Sequence, residues 1–379
     1  IYFAFPMIGL PWPAVVCAVY FLTYGQIDTR TNQLAHEIAR VCGTANEPVA
    51  ALLEESADTL VAMLAILKAG KIYVPLDAAY PPARLEYMIS DAGAPAVLTD
   101  TRHIALAQEL CKGREVINID DAGTDMPDKP LDPPVTADSF SNILYTSGST
   151  GDPKGIFNTH RQLLYCGLKF RNMMELKPSD RMGSFMSFAF AGGMKVHLWT
   201  LMHGATLVGG TLDSLDHVAD FFLREEITCG ILSPSLLKHF LAGVRDSRQF
   251  EKLRVLYIGG EPLRKPEVER FKALFPAGVT LLNVLAMTEV GSARWFAANE
   301  ADGIDGDFVP VGYPLGDVEV LLLDDERRPV KPGEVGQIAL KSRYIASGFW
   351  RKPDATKAAF IEDADGSGKR TYVTGDLGR

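Results

Sequence analysis

The chain has 379 residues, 38 Lys and Arg against 47 Asp and Glu, and a formal net charge of -9. With 47% hydrophobic and 22% charged residues it has the balance of a globular protein with a sizeable core, which excludes a disordered chain and argues against a basic face for nucleic acid. The cysteines Cys17, Cys42, Cys111, Cys166 and Cys229 have neither metal nor disulfide-framework spacing; they read as buried or inert thiols of a reducing compartment.

Residues 1–27 carry no charge, yet Pro6, Pro11 and Pro13 would break a spanning helix, and no Lys or Arg precedes the apolar stretch. The expectation is a cytoplasmic protein without a membrane segment. From Thr59 onward helical and strand-like stretches alternate. Leu60–Lys68, Arg84–Ser90 and Ile104–Cys111 have helical spacing, and Ile72–Leu76, Ala96–Thr99 and Val116–Ile119 are short apolar runs. Residues 1–120 therefore read as a first α/β lobe. Residues 121–138, with Pro127, Pro130, Pro133 and Pro134, read as an irregular connector.

Residues 139–311 continue the alternation as a second lobe. Its strands are Asn142–Thr146, Thr206–Val208, Gly230–Leu232, Val255–Ile258 and Thr280–Val284. Its helices are Arg161–Met174, Lys195–Met202, His217–Glu225, Leu236–Val244 and Pro266–Phe275. After Gly312 the texture becomes that of an antiparallel hairpin, Val318–Asp325 with Gly336–Leu340, so residues 312–379 read as a small β subdomain. The expected fold class is α/β, with two doubly wound α/β subdomains and a smaller antiparallel β subdomain.

The most informative stretch runs from Ile143 to Gly155, an apolar strand entering a loop dense in Gly, Ser and Thr. Gly148, Gly151 and Gly155 let backbone N–H groups approach phosphate oxygens. Thr146, Ser147, Ser149 and Thr150 add hydroxyl donors, and Lys154 adds charge. A cation about 4 Å from a phosphate contributes roughly 4 kcal/mol at an effective dielectric near 20. The spacing is not that of a Walker P-loop, which weakens kinase and GTPase readings.

Tyr145–Gly155 resembles the signature loop of the adenylate-forming superfamily, which includes acyl-CoA ligases, luciferases and the adenylation domains of nonribosomal peptide synthetases. Leu22–Ile27 resembles the opening strand motif of adenylation domains, and Leu67–Asp77 with Tyr80-Pro81 resembles their second block, which points to the peptide-synthetase branch. Gly259–Pro262, Asn283–Glu289, Gly333–Ile338, Ser347–Trp350 and Tyr372–Leu377 follow in the family's order, so the resemblance spans nearly the whole chain.

The resemblance implies ATP-dependent activation of a carboxylic acid and transfer of the acyl group to phosphopantetheine on a carrier protein within a larger synthetase. It implies that Lys154 orients the leaving pyrophosphate, Thr288 touches the α-phosphate, Glu289 holds Mg²⁺ and Asp376 accepts the ribose hydroxyls. Asn283 would meet the adenine amino group, and Gly260, Glu261 and Pro262 would wall the base slot. Leu285 stands where the family presents Tyr or Phe to adenine, and Ala286 where it presents Gly. Loss of stacking costs roughly 1–3 kcal/mol of nucleotide binding. His160 is assigned to packing, because a carboxylate nucleophile needs no general base.

The implied acid pocket consists of Ala189, Phe190, Gly193, Ile231, Tyr257, Gly259, Val284, Ser292 and Ala293. Amino-acid-activating relatives place Asp where Ala189 stands, to pair with the substrate ammonium. A buried ammonium without a partner costs several kcal/mol. The expected substrate is therefore an aryl, α-keto, α-hydroxy or aliphatic acid. The family's small C-terminal domain, which carries the lysine for adenylation, has no counterpart within these residues, so weak catalysis is expected from this stretch alone. A CoA ligase of the same superfamily, and a domain that binds nucleotide without catalysis, remain the alternatives.

Overall fold

The computed structural model describes residues 13–17, 20–146, 153–209, 214–275, 278–299, 304, 306–363 and 366–379. The chain folds as two compact units that interleave in sequence. The first holds Ile1–Gly167, Met186–Gly204 and Ala346–Thr356; the second holds Leu168–Phe185, Ala205–Ile345 and Lys357–Arg379.

In the first unit seven strands form one sheet, in the order Gly348–Phe349, Lys154–Thr159, Phe140–Thr146, Ile72–Asp77, Pro48–Leu53, Ala96–Thr99 and Glu115–Asn118. The last five are parallel, and the first two add antiparallel pairs at one edge. Pro48–Leu53 is buried along its whole length, as a strand covered on both faces must be, and so reads as an uninterrupted apolar run. Helices Ala57–Lys68, Pro82–Ala92 and Ile104–Cys111 make the crossovers.

Residues 22–27 depart from the expected strand motif. The strand Tyr20–Thr23 stops at Thr23, which caps helix Tyr24–Cys42 through a reciprocal box: Gln26 N donates to Thr23 Oγ1 at 3.2 Å, and Thr23 N donates to Gln26 Oε1 at 2.9 Å. Two buried lysines of the second block tie this helix in. Lys68 Nζ donates to Asp28 at 2.6 Å, Thr31 at 2.7 Å and Asn32 at 2.8 Å. Lys71 Nζ donates to the Cys42 and Ala45 carbonyls and to Glu47. Burial pulls the Lys68 pKa down, and the Asp28 carboxylate opposes that shift.

In the second unit the strands run in the order Tyr313–Pro314, Gly291–Ala297, Thr280–Met287, Val255–Gly259, Cys229–Leu232, Arg181–Ser184 and Thr206–Gly209. The last five are parallel and the first two antiparallel. A separate antiparallel sheet follows, ordered Glu319–Leu323, Gly336–Ser342, Arg370–Gly378 and Phe360–Glu362. Parallel α/β sheets plus a small antiparallel sheet are the expected fold class.

Residues 121–138 have no regular element, as their prolines dictate. The helix expected at His217–Glu225 begins instead as a 3-10 turn, Leu215–His217, and is α-helical over Val218–Arg224. Among the described residues no helix is long and apolar enough to cross a membrane, and no disulfide joins Cys42, Cys111, Cys166 or Cys229.

His160 and His197, both in the first unit, are each 3% exposed. Burial pushes their pKa values down to about 4 and about 3. The unfolded chain therefore binds the extra protons below about pH 6.5, and stability falls as pH drops from there towards 4. Urea unfolding at pH 7, 6 and 5 should show a loss approaching about 1.4 kcal/mol per pH unit for each histidine. His197→Phe should remove one share of the slope, and an unchanged slope would refute the assignment.

Candidate active site

Within the first unit the strand Phe140–Thr146 returns as Lys154–Thr159, with Thr146 opposite Lys154 and Tyr145 opposite Gly155. The two ends of the Gly/Ser/Thr-dense loop are thus paired across a ladder. Ser147, Gly148, Ser149, Thr150 and Gly151 lie outside the described residues. The loop's flanks are held from several sides. Tyr145 Oη donates to Asp91 at 2.7 Å, and burial with the Asp91 carboxylate raises its phenol pKa. Tyr87 Oη donates to the Pro153 carbonyl at 3.3 Å and accepts from Lys352 Nζ at 3.1 Å. Trp350 N donates to the Gly155 carbonyl at 2.7 Å, and its indole N–H to the Ala92 carbonyl at 3.1 Å. The block Ser347–Trp350 thereby becomes an edge strand beside the loop, with the Lys154 ammonium 5.6 Å from the Phe349 ring centre.

Ala189, Phe190 and Gly193 lie at the start of helix Ala191–Met202. Gly193 is buried, Ala189 half-buried and Phe190 57% exposed. Ala189 borders a small pocket of roughly 230 Å³ at the carboxyl ends of strands Pro48–Leu53 and Ile72–Asp77, with Tyr73, Asp77, Ser187 and Phe188 among its lining. The Tyr73 phenol is buried there without a hydrogen-bond partner.

Within the second unit the remaining positions gather at the carboxyl ends of parallel strands, where open α/β sheets bind ligands. Ile231 pairs with Tyr257, and Gly259 with Val284, so these four face one side of the sheet. Ser292 and Ala293 lie on the adjoining antiparallel strand, and Tyr257 Oη is 3.5 Å from Ser292 Oγ. A Cβ at Gly259 would meet the Tyr257 ring and the Val284 carbonyl, so glycine keeps this wall open. Gly260, with φ +90, turns the chain away into exposed Glu261 and Pro262. Glu261 Oε2 accepts from Ser235 Oγ at 2.9 Å.

Asn283 points to the opposite face and is buried. Its Nδ2 donates to the Val309 carbonyl at 3.2 Å and to the Pro310 carbonyl at 2.9 Å. Two carbonyl acceptors fix the amide orientation, so Oδ1 is the atom it offers elsewhere. Half-buried Leu285 sits opposite Arg294 at a bulge in the ladder.

Strand Thr280–Met287 ends in a turn carrying Thr288 and Glu289, and Gly291 at φ 72 closes it. Tyr372 Oη donates to Glu289 Oε1 at 2.7 Å. Burial, then the Glu289 carboxylate, raises the Tyr372 pKa, and Asp376 on the same strand adds to the effect. The phenol stays protonated, a fixed donor aiming one carboxylate oxygen. Asp376 is exposed, and its N–H donates to Thr374 Oγ1 at 3.0 Å. Tyr372 thus joins Glu289 to the strand of Asp376. Its role was not apparent in the sequence, although it opens the closing motif Tyr372–Leu377.

The family profile "AMP-binding enzyme" matches residues 11–350. Gramicidin S synthase 1 of Brevibacillus brevis is 27% identical over 372 residues, which cover 97% of this chain and 33% of that protein. Malpinin synthetase of Mortierella alpina is 32% identical over 380 residues, 97% of this chain and 5% of that protein. The chain thus spans a third or less of these relatives. A crystal structure of the nonribosomal peptide synthetase FmoA3 superposes with a TM-score of 0.88 at 26% identity, covering 97% of this chain and 39% of that one. ATP-bound MatB from Rhodopseudomonas palustris superposes at 0.85 with 25% identity, covering 97% and 73%.

Two glycines separate packing from backbone strain. A Cβ at Gly193 would fall on the Ser187 carbonyl, whereas at Gly260 nothing lies within 4 Å and only the positive φ resists. Gly193→Ala should cost about 3 kcal/mol or more and Gly260→Ala about 1–2 kcal/mol. Thermal unfolding of the two variants checks the order; equal losses would contradict it.

Proposed function

The chain belongs to the family of AMP-binding enzymes, and from that membership we propose that it activates a carboxylic acid with ATP, forming an acyl-adenylate and releasing pyrophosphate. The acyl group then passes to the phosphopantetheine thiol of a carrier protein in a multi-module synthetase. The observation that carries this reading is the Tyr372–Glu289 hydrogen bond. It holds a carboxylate in a fixed direction at the end of a parallel strand, on the same unit as Asp376. The peptide synthetases among the relatives and the ATP reported in MatB support it.

The acid's carboxylate oxygen attacks the α-phosphorus of ATP, an O–P bond forms, and the bond from that phosphorus to the β-phosphate's bridging oxygen breaks. No proton has to be removed from the nucleophile. Lys154 and the donors of Thr146–Gly151 hold the departing phosphates, and Thr288 holds the α-phosphate. Asn283 presents Oδ1 to the adenine amino group, with Gly260, Glu261 and Pro262 beside the base and Leu285 contributing an aliphatic contact. Asp376 accepts the ribose hydroxyls.

Glu289 suits Mg²⁺: it is a hard oxygen donor aimed by Tyr372, and no group of three or more His, Cys, Asp or Glu that could hold a metal occurs among the described residues. A single carboxylate with phosphate and water oxygens is the ligand set that ion prefers. When bound, it would neutralise charge on the phosphates. The position of Ala189, without a carboxylate, supports a substrate lacking an α-ammonium.

Acid-dependent ATP–pyrophosphate exchange, measured on the protein that carries this chain, should be strongest with an aryl, α-keto, α-hydroxy or aliphatic acid. It should fall roughly 10²–10³-fold in Lys154→Ala. Ala189→Asp should shift preference towards the matching α-amino acid. If a standard α-amino acid is the best substrate of the unmodified protein, the substrate class is wrong.

A further inference from the structure

Lys169 lies in helix His160–Met174 and is 5% exposed, although nothing in its sequence context marks it. Its Nζ donates to the Ser292 carbonyl at 3.0 Å. The register explains why that carbonyl is within its reach. Leu285 faces Arg294 while Ala286 faces Ser292, so Ala293 is an extra residue and the strand bulges there. Bulges re-aim neighbouring side chains and occur beside binding sites. Here the bulge carries two of the acid-pocket positions, Ser292 and Ala293.

The side chain of Ser292 approaches the Tyr257 phenol at 3.5 Å. Burial pushes that phenol up to about 12, with the Ser292 contact opposing the shift, so the pair is uncharged at neutral pH. Phe170, next in the helix after Lys169, has its ring centre 6.4 Å from that of Tyr257. Backbone and side chain of Ser292 are therefore held from two directions, one of them by a buried cation.

We propose that Lys169 is a specificity-determining residue of the acid pocket: it fixes the bulge that presents the neutral Ser292–Tyr257 pair, and its buried positive charge disfavours acids bearing an α-ammonium. This rests on the acid-activation reading and adds a second cause for the absence of an amino-acid substrate, independent of Ala189. Like charges about 8–10 Å apart at an effective dielectric near 20 discriminate roughly ten- to thirtyfold. Lys169 acts through Ser292 and through its field, as a positioning residue.

The test uses matched non-reactive adenylates: L-phenyllactyl- against L-phenylalanyl-sulfamoyladenosine, and 2-hydroxyisocaproyl- against leucyl-sulfamoyladenosine, titrated calorimetrically with AMP as the reference. The unmodified protein should prefer the hydroxyacyl member of each pair. Lys169→Gln, which keeps a donor for the Ser292 carbonyl and loses the charge, should narrow that preference about tenfold with AMP affinity unchanged. Lys169→Arg should retain the preference. Should Lys169→Gln fail to fold, Ser292→Ala serves: it leaves the cation in place, so hydroxyacyl binding weakens with no gain for the aminoacyl forms. A full hydroxyacyl preference in folded Lys169→Gln, equal loss of AMP affinity, or an aminoacyl gain in Ser292→Ala overturns the role of Lys169 and leaves the acid-activation reading standing. A wild-type preference for the aminoacyl forms overturns the role of Lys169 together with the proposed substrate class.

Discussion

A parallel strand cannot be followed directly by its neighbour; the chain must leave at the carboxyl end and cross over before re-entering. In each unit this constraint collects loop starts along one edge of the sheet. Ile231, Tyr257, Gly259 and Val284 come from separate stretches of sequence, yet three adjacent parallel strands bring them to one face. The antiparallel additions, Lys154–Thr159 in one unit and Gly291–Ala297 in the other, each follow a loop that carries chemistry-bearing residues.

Support for these loops is largely hydrogen bonding by groups that cannot ionise under ordinary conditions. Tyr87 ties Pro153, Tyr145 ties Asp91, and Tyr372 ties Glu289. A phenol kept neutral by burial donates in a fixed direction and adds no charge to a region built to receive an anion. The fixed cations Lys68 and Lys71 lie elsewhere, in the frame, where carboxylates and carbonyls compensate them.

The region around the acid-pocket positions shows how one substitution changes the electrostatic problem. With Ala at 189, no carboxylate stands there to meet an ammonium, while Lys169 brings a buried positive charge to the backbone of Ser292. Both features act in the same direction, because a desolvated charge is costly without an opposite partner and more so beside a like one.

Much was legible in residues alone. The apolar runs Ile72–Leu76, Ala96–Thr99 and Val255–Ile258 are strands because continuous burial leaves no alternation to misread. The ordered motifs identified the family because the chemistry of phosphate and nucleotide binding restricts residue types at short range. Local pattern could not reveal that Thr23 is a helix cap, that Met186–Gly204 and Ala346–Thr356 rejoin the first unit, or that Tyr372 and Lys169 touch Glu289 and Ser292. Those contacts join residues 83 and 123 positions apart. Composition and periodicity report only what a residue does for its own helix or strand, so only the tertiary fold could decide which distant partner each side chain meets.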